Sequence, residues 1–150
     1  NIQWKNECDG IRLIGENRES TIIDAQQNDS GIRINGNNAG EINHTSLIEG
    51  FTIRNGNSNY SGGGIGAGSG SLTIKDLIIT GNTSNYGGGG IHSNGAFINL
   101  SNCTITNNFG LFAGGIEIGH SVPIITNCII WNNDNHSLLV KELMELLKRS

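Results

Sequence analysis

The sequence is poor in several residue types on which most domains depend. Its 150 residues include one Pro, one Met and three Cys, while aromatic side chains make up 5% and charged ones 15%. No apolar run approaches the roughly 20 residues that a membrane-spanning helix needs. Collagen requires abundant Pro together with Gly at every third position, so the scarcity of Pro excludes a collagen triple helix.

Charge is also scarce and is not concentrated in any basic region. The net charge is −4, from 9 basic and 13 acidic residues. Because there is no basic patch, nucleic acid is not expected as a partner. The chain has no amphipathic stretch rich in Lys and Arg, so binding to a membrane surface is not expected either.

The cysteines Cys8, Cys103 and Cys128 predict neither a disulfide framework nor a metal site. Their number is odd and their spacings match no zinc-binding pattern. We therefore expect no metal and no cofactor. The chain begins at Asn1 without Met and shows no signal peptide, which favours a processed chain or an excised fragment.

Three residue types are abundant, with 23 Gly, 22 Asn and 23 Ile. Gly and Asn are poor helix formers, so this composition disfavours an ordinary helical protein. The Ile content is too high for a disordered chain. A β-rich protein with many tight turns remains, because Gly and Asn tolerate left-handed backbone angles.

The sequence repeats with a period of 25 or 26 residues. Three sets of landmarks share this period, which indicates a repeat protein. They are Phe51/Leu77/Cys103/Cys128, Ile48/Ile74/Leu100/Ile125, and the Ile that ends each Gly-Gly-Ile block at Ile65/Ile91/Ile116.

Within each repeat the apolar residues alternate over short runs, as in Leu72-Thr73-Ile74, which predicts short β-strands. About 25 residues without a helix predict one turn of a parallel β-coil, whose turns stack at the strand spacing of ~4.8 Å. We expect five turns with apolar columns facing inward, beginning near Ile11, Ile32, Ile65, Ile91 and Ile116. An internal Asn ladder is expected in one of two columns, Asn82/Asn108/Asn133 or Asn55/Asn107/Asn132.

These residues resemble the right-handed parallel β-helix repeat family, the architecture of pectate-lyase-like proteins and of bacterial surface proteins with such repeats. The segment 11–15 followed by 21–24 is similar to a first turn, and 51–55 is similar to a later one. The resemblance covers about residues 2–135 and implies an all-β, single-stranded solenoid. It implies no particular activity, because the same coil carries enzymes, adhesins and inert stalks.

The last residues differ in composition and predict a second element. Residues 137–150 contain neither Gly nor Asn and are rich in strong helix formers. We predict a parallel β-helix over 1–136 and an amphipathic α-helix over 137–150, with a packing face of Leu139, Leu143, Leu146 and Leu147. This helix caps the last turn, pairs with its copy in another chain, or belongs to an engineered or grafted segment that replaces further turns.

No catalytic motif of the β-helix lyases or glycosidases is present, and we predict no catalytic, cofactor-binding or metal-binding residue. The best local pair is His92 with Glu117, which follow Ile91 and Ile116 and should point outward one turn apart, with ~5 Å between their Cβ atoms. Such a pair can bind a metal or act in acid–base catalysis. A solvated cross-strand pair is the commoner structure.

Two further groups of side chains have open interpretations. Trp131, with Tyr60 and Tyr86 in equivalent turns, either stacks on a sugar ring or is an isolated surface aromatic beside a repeated turn-packing Tyr. Cys103 and Cys128 are adjacent in an inward column and are expected to be buried free thiols, because stacked parallel side chains are poorly aimed for a disulfide.

The whole pattern favours a non-enzymatic structural or adhesive β-helix module, secreted or on a cell surface of bacterial type. Its origin as an excised fragment or as a designed, capped scaffold is part of this expectation. Expected partners are carbohydrate or other cell-surface components, and a second copy bound through the C-terminal helix. The alternative is a fragment of a carbohydrate-active β-helix protein, a polysaccharide lyase or hydrolase, whose active site lies in missing turns.

Overall fold

The computed structural model of the protein describes residues 2–5, 10–35 and 46–141. Every secondary-structure element that begins and ends within these ranges is a β-strand. The strands are β1 Ile2–Lys5, β2 Arg12–Ile14, β3 Ile22–Asp24, β4 Ile32–Asn35, β5 Leu47–Glu49, β6 Thr52–Arg54, β7 Asn57–Ser58, β8 Ile65–Ala67, β9 Gly70–Lys75, β10 Ile78–Thr80, β11 Thr83–Ser84, β12 Ile91–Asn94, β13 Ala96–Ser101, β14 Thr104–Thr106, β15 Phe109–Gly110, β16 Ile116–Gly119, β17 Ile124–Thr126, β18 Ile129–Trp131 and β19 Leu138–Val140.

The strands form four parallel sheets in which each strand pairs with its counterpart from another turn of the chain. Sheet 1 has the order β1-β4-β8-β12-β16-β19, sheet 2 β2-β5-β9-β13-β17, sheet 3 β3-β6-β10-β14-β18, and the short sheet 4 β7-β11-β15. This is a parallel β-solenoid of about five turns. The predicted coil and its number of turns are confirmed.

The core is the stack of inward columns that the period predicts. In sheet 3, Ile53, Ile79 and Ile105 are paired partners and are fully buried. The same holds in sheet 2 for Ile48 and Ile74. Each such aliphatic side chain contributes about 1.5–3 kcal/mol through burial, so the columns supply most of the stabilisation. The residues at the two ends of these columns are only half-buried: Leu13, Ile23, Ile125 and Ile130.

One of the two Asn columns forms an internal ladder, as predicted. Asn82 Nδ2 donates to Asn108 Oδ1, and Asn108 Nδ2 donates to Asn133 Oδ1, each at 3.0 Å. Each side-chain oxygen also accepts from the backbone N–H one turn earlier. The ladder therefore satisfies buried polar groups at a bend of the coil.

The other Asn column lies in the turns that follow the strands of sheet 3. Asn55, Asn107 and Asn132 have φ values of 56°, 55° and 52°. Asn accepts this left-handed conformation more readily than most residues, which explains why it recurs there.

The predicted C-terminal amphipathic helix is wrong. Leu138–Val140 form strand β19, which pairs in parallel with β16 and extends sheet 1. This pairing joins Ile116 N–H to Ser137 O at 2.9 Å and buries Val140 beside Ile118. The edge of sheet 1 outweighs the local helix propensity of the tail. Of the predicted packing face, Leu139 lies in this strand, and Leu143, Leu146 and Leu147 lie outside the described residues.

Both cysteines of the inward column are free thiols, as predicted, but only Cys103 is buried. Cys128 belongs to the last turn and is half-buried. Burial raises the pKa of the Cys103 thiol to about 12, so this thiol is chemically inert. Cys8 lies outside the described residues.

Candidate functional site

The candidate site is built on one outward column of sheet 1. Parallel register places Arg33 opposite Gly66, Gly66 opposite His92, and His92 opposite Glu117. The register continues from Glu117 to Leu139 in β19. Successive turns thus contribute to one column the guanidinium of Arg33, a glycine without a side chain, the imidazole of His92 and the carboxylate of Glu117.

The structure brings His92 and Glu117 together as the repeat predicts. His92 Nδ1 lies 2.8 Å from Glu117 Oε2. The expectation of a solvated pair is wrong, because the Glu117 side chain is fully buried and that of His92 is only 12% exposed.

A residue outside the strands of this column, Lys141, completes the charge balance of Glu117 and is itself in contact with an aromatic ring. Lys141 forms an ion pair with Glu117 Oε1, and its Nζ lies 4.6 Å from the centroid of the Phe112 ring. The bridge between Gly88 and Ala113 puts Phe112 in the place that Gly87 holds one turn earlier. Tyr86 packs edge-on against Phe112, with 5.5 Å between ring centroids.

The electrostatic balance keeps Glu117 ionised. Burial raises the pKa of Glu117, but the hydrogen bonds and charges of His92 and Lys141 outweigh burial, so its pKa lies below the ordinary value of 4.5. An ionised carboxylate only accepts hydrogen bonds. His92 Nδ1 therefore carries a proton and donates a hydrogen bond to Glu117.

Beside His92 lies a cleft of about 320 Å³. The cleft is lined by Arg33, Ile34, Tyr60, Ser61, Ala67, Gly68, His92 and Asn94. A Cβ on Gly66 would lie only 1.8 Å from Ser61 Oγ. Glycine at this position therefore leaves room for the Ser61 side chain, which lies over Gly66 and lines the cleft.

The space over this column is filled differently in consecutive turns. Gly87 holds the place of Ser61 one turn later, and a Cβ on Gly87 would lie 2.6 Å from His92 Nδ1. Each of these two turns thus has room for one side chain, Ser61 over Gly66 or His92 over Gly87. This exchange sets a hydroxyl and an imidazole side by side in successive turns.

The polar groups of the cleft have unused hydrogen-bonding capacity. Arg33 Nη2 donates to Asp29 Oδ1 at 2.6 Å and to Ser58 Oγ at 3.3 Å, whereas Arg33 Nε is buried without a partner among the described residues. His92 bonds Glu117 through Nδ1, and none of the residues that the structure describes bonds its Nε2. Of these two groups, His92 Nε2 is the one available to a ligand.

The three aromatic candidates, Tyr60, Tyr86 and Trp131, lie in different surroundings and do not form one surface. Tyr60 lines the cleft and is 80% exposed, so it does not pack into its turn. Tyr86 is half exposed and packs edge-on against His92 and Phe112. Trp131 lies on sheet 3, in its last strand, and is 72% exposed.

Sequence reasoning missed three members of this site: Arg33, Ser61 and Lys141. Arg33 could have been found by extending the column Gly66/His92/Glu117 to the turn that begins at Ile32. Ser61 could have been found by aligning it with Gly87. Lys141 could not, because its place depends on β19, which the sequence predicts as helix.

Comparisons of the chain with protein-family models, with curated proteins and with solved structures gave no match. Within residues 2–5, 10–35 and 46–141 there is no group of three or more His, Cys, Asp or Glu side chains placed to hold a metal ion. The same part of the chain contains no helix long and apolar enough to cross a membrane.

Proposed function

We propose that the protein is an adhesive β-helix module of an extracellular surface, and that the cleft on sheet 1 binds carbohydrate. The observation that carries the proposal is the exposed Tyr60 ring on the wall of a cleft lined by polar groups. An exposed aromatic ring beside fixed hydrogen-bonding groups suits a ligand with one apolar face and many hydroxyls.

The dimensions of the cleft support this class of ligand. Its volume of about 320 Å³ lies at the lower end of the range for small-molecule sites. Arg33 and His92 lie two strands apart, or about 10 Å at the spacing of paired strands. Donors and acceptors at both ends of the cleft, with Asn94 at its rim, would fix the orientation of a sugar chain.

The scaffold supports an adhesive role because it holds the cleft rigidly. Both Gly66 and His92 lie in strands that are paired on each side. Little ordering is then needed when a ligand binds, which favours affinity at a small site. Secretion, surface display and kinship with pectate-lyase-like coils are part of this proposal.

The test is binding of the full chain to a panel of polysaccharides, measured by affinity electrophoresis and calorimetry. Tyr60→Ala should weaken binding at least tenfold, because the stacking surface is lost. Trp131→Ala, a matched loss of an exposed aromatic ring on sheet 3, should leave binding unchanged. The proposal fails if no polysaccharide binds, or if Trp131→Ala weakens binding and Tyr60→Ala does not.

A second candidate function is a fragment of a carbohydrate-active β-helix enzyme. The observation that favours it is the His92–Glu117 pair at the edge of the cleft, since an imidazole held by a buried carboxylate suits acid–base chemistry. A depolymerisation screen with and without Ca²⁺ separates the two functions. Cleavage that Tyr60→Ala abolishes would favour the enzyme, and binding without cleavage would favour the module.

A further inference from the structure

The cleft also holds the parts of a nucleophilic site in three successive turns of the coil. His92 and Glu117 are paired partners in sheet 1, and Ser61 lies in the turn before β8 with its side chain over Gly66, the partner of His92. Each performs a separate task in acyl transfer if the hydroxyl is the nucleophile. This activity is distinct from carbohydrate binding and involves neither Tyr60 nor Arg33.

The base and its orienting group are already in contact. His92 Nδ1 donates to the buried, ionised Glu117 carboxylate across 2.8 Å. The two ring nitrogens lie on different edges of the imidazole, so in the neutral form of His92 the Nε2 atom carries the lone pair, and His92 lines the cleft. A buried carboxylate that fixes the tautomer in this way prepares Nε2 to accept a proton.

The nucleophile lies one turn below the base. Ser61 Oγ is 1.8 Å from the position that a Cβ of Gly66 would occupy, and Gly66 is the paired partner of His92. Ser61 Oγ therefore lies about one strand spacing, ~4.8 Å, from the base of the His92 side chain. Both side chains line the same cleft, so the Ser61 hydroxyl and the His92 imidazole face the same space.

A backbone donor lies beside the nucleophile. The same Cβ position on Gly66 is 3.3 Å from Gly62 N. No described residue accepts a hydrogen bond from this N–H. The N–H of the residue that follows a nucleophile is a common donor to the oxyanion of a tetrahedral intermediate.

We propose that Ser61, His92 and Glu117 form a hydrolytic relay that cleaves an ester in the cleft. Ser61 Oγ bonds to the acyl carbon and its proton passes to His92 Nε2, while Glu117 stays ionised. The bond from the acyl carbon to the alcohol oxygen then breaks, and His92 returns the proton to the leaving alkoxide. Water, deprotonated by His92, attacks the acyl carbon of the acyl-serine. The bond from the acyl carbon to Ser61 Oγ then breaks, the acid is released, and His92 returns the proton to Ser61 Oγ.

The experiment treats the full chain with a fluorophosphonate and, separately, with p-nitrophenyl acetate. The relay requires a phosphonyl adduct on the peptide that contains Ser61, identified by mass spectrometry. Ser61→Ala should remove the adduct and lower ester hydrolysis by about 10³-fold. The fold tolerates loss of this side chain, because Gly87 holds the same place one turn later.

Two further variants separate a relay from a reactive surface. Ser71→Ala, a half-buried serine on β9 away from the cleft, should keep both the adduct on Ser61 and the hydrolysis rate. His92→Gln should lose both. The relay is overturned if no adduct forms on Ser61, or if Ser61→Ala hydrolyses the ester as fast as Ser71→Ala. Polysaccharide binding is measured on the same samples, so that its loss tests the adhesive function alone.

Discussion

Single residues of this coil can be compared with their counterparts one turn away. Residues 58–66 and 84–92 are the same segment in consecutive turns, and they differ mainly where Ser61 and Gly66 are replaced by Gly87 and His92. Close contacts between the turn and the strand permit only one side chain in each of these two turns. The exchange brings Ser61 and His92 to the same cleft.

The Asn ladder gives a prediction at this scale. Asn108 donates to Ile79 O and Asn133 Oδ1, and it accepts from Asn82, each at 3.0 Å. Asn108→Ala leaves several buried groups unpaired and should lower the free energy of unfolding by about 3 kcal/mol. The control Asn99→Ala, at an exposed position on β13, should change it by at most about 0.5 kcal/mol. Urea denaturation measures both, and equal effects would show that the ladder is not stabilising.

The buried carboxylate gives a prediction about pH. The pKa of Glu117 is lowered in the folded state, so its stabilisation is complete above the unfolded value near 4.5 and is lost as pH falls through the folded value. Glu117→Gln should therefore be less stable than the wild type at pH 7, with a smaller difference at pH 3. Glu16→Gln controls for loss of one surface charge. A difference for Glu117→Gln that stays constant between the two pH values would contradict the proposed ion pairs.

Among the elements, the last strand, β19, is the one that the sequence predicts incorrectly. The residues of 138–140 favour a helix by propensity, yet they pair with β16 because the free edge of sheet 1 offers hydrogen bonds and an apolar column. The short strands of the repeats were predictable because the period sets which side chains face inward. The partner residues of β16 and β19, such as Ile116 and Leu138, are closer in sequence than 25 or 26 residues, so the period does not predict their pairing.

A substitution in β19 tests this pairing. Val140 is buried beside Ile118, whereas Leu138 of the same strand is 42% exposed. Val140→Asp should detach β19 or destabilise the protein by several kcal/mol, because it buries a charge. Leu138→Asp should cost much less. Hydrogen exchange followed at β16 and β19 reports the difference, and equal protection in both variants would contradict the strand.

At the scale of the whole molecule, the sequence predicts the coil well and the site in part. The period of 25 or 26 places His92 beside Glu117 without any coordinates. It does not reveal the ion pair between Lys141 and Glu117 or the packing of Lys141 against Phe112. Phe112 lies in the turn shortened to a 25-residue repeat, and Lys141 follows the strand that was not predicted.

The fold and the candidate site both require that turns 25 or 26 residues apart stack in parallel and in register. Nuclear Overhauser effects between backbone protons measure this stacking. Contacts should join Ile79 to both Ile53 and Ile105, and His92 to both Gly66 and Glu117, as the strand partners require. Close Hα–Hα contacts between strands that follow one another in the chain would indicate antiparallel hairpins instead, and would contradict the coil and the site built on it.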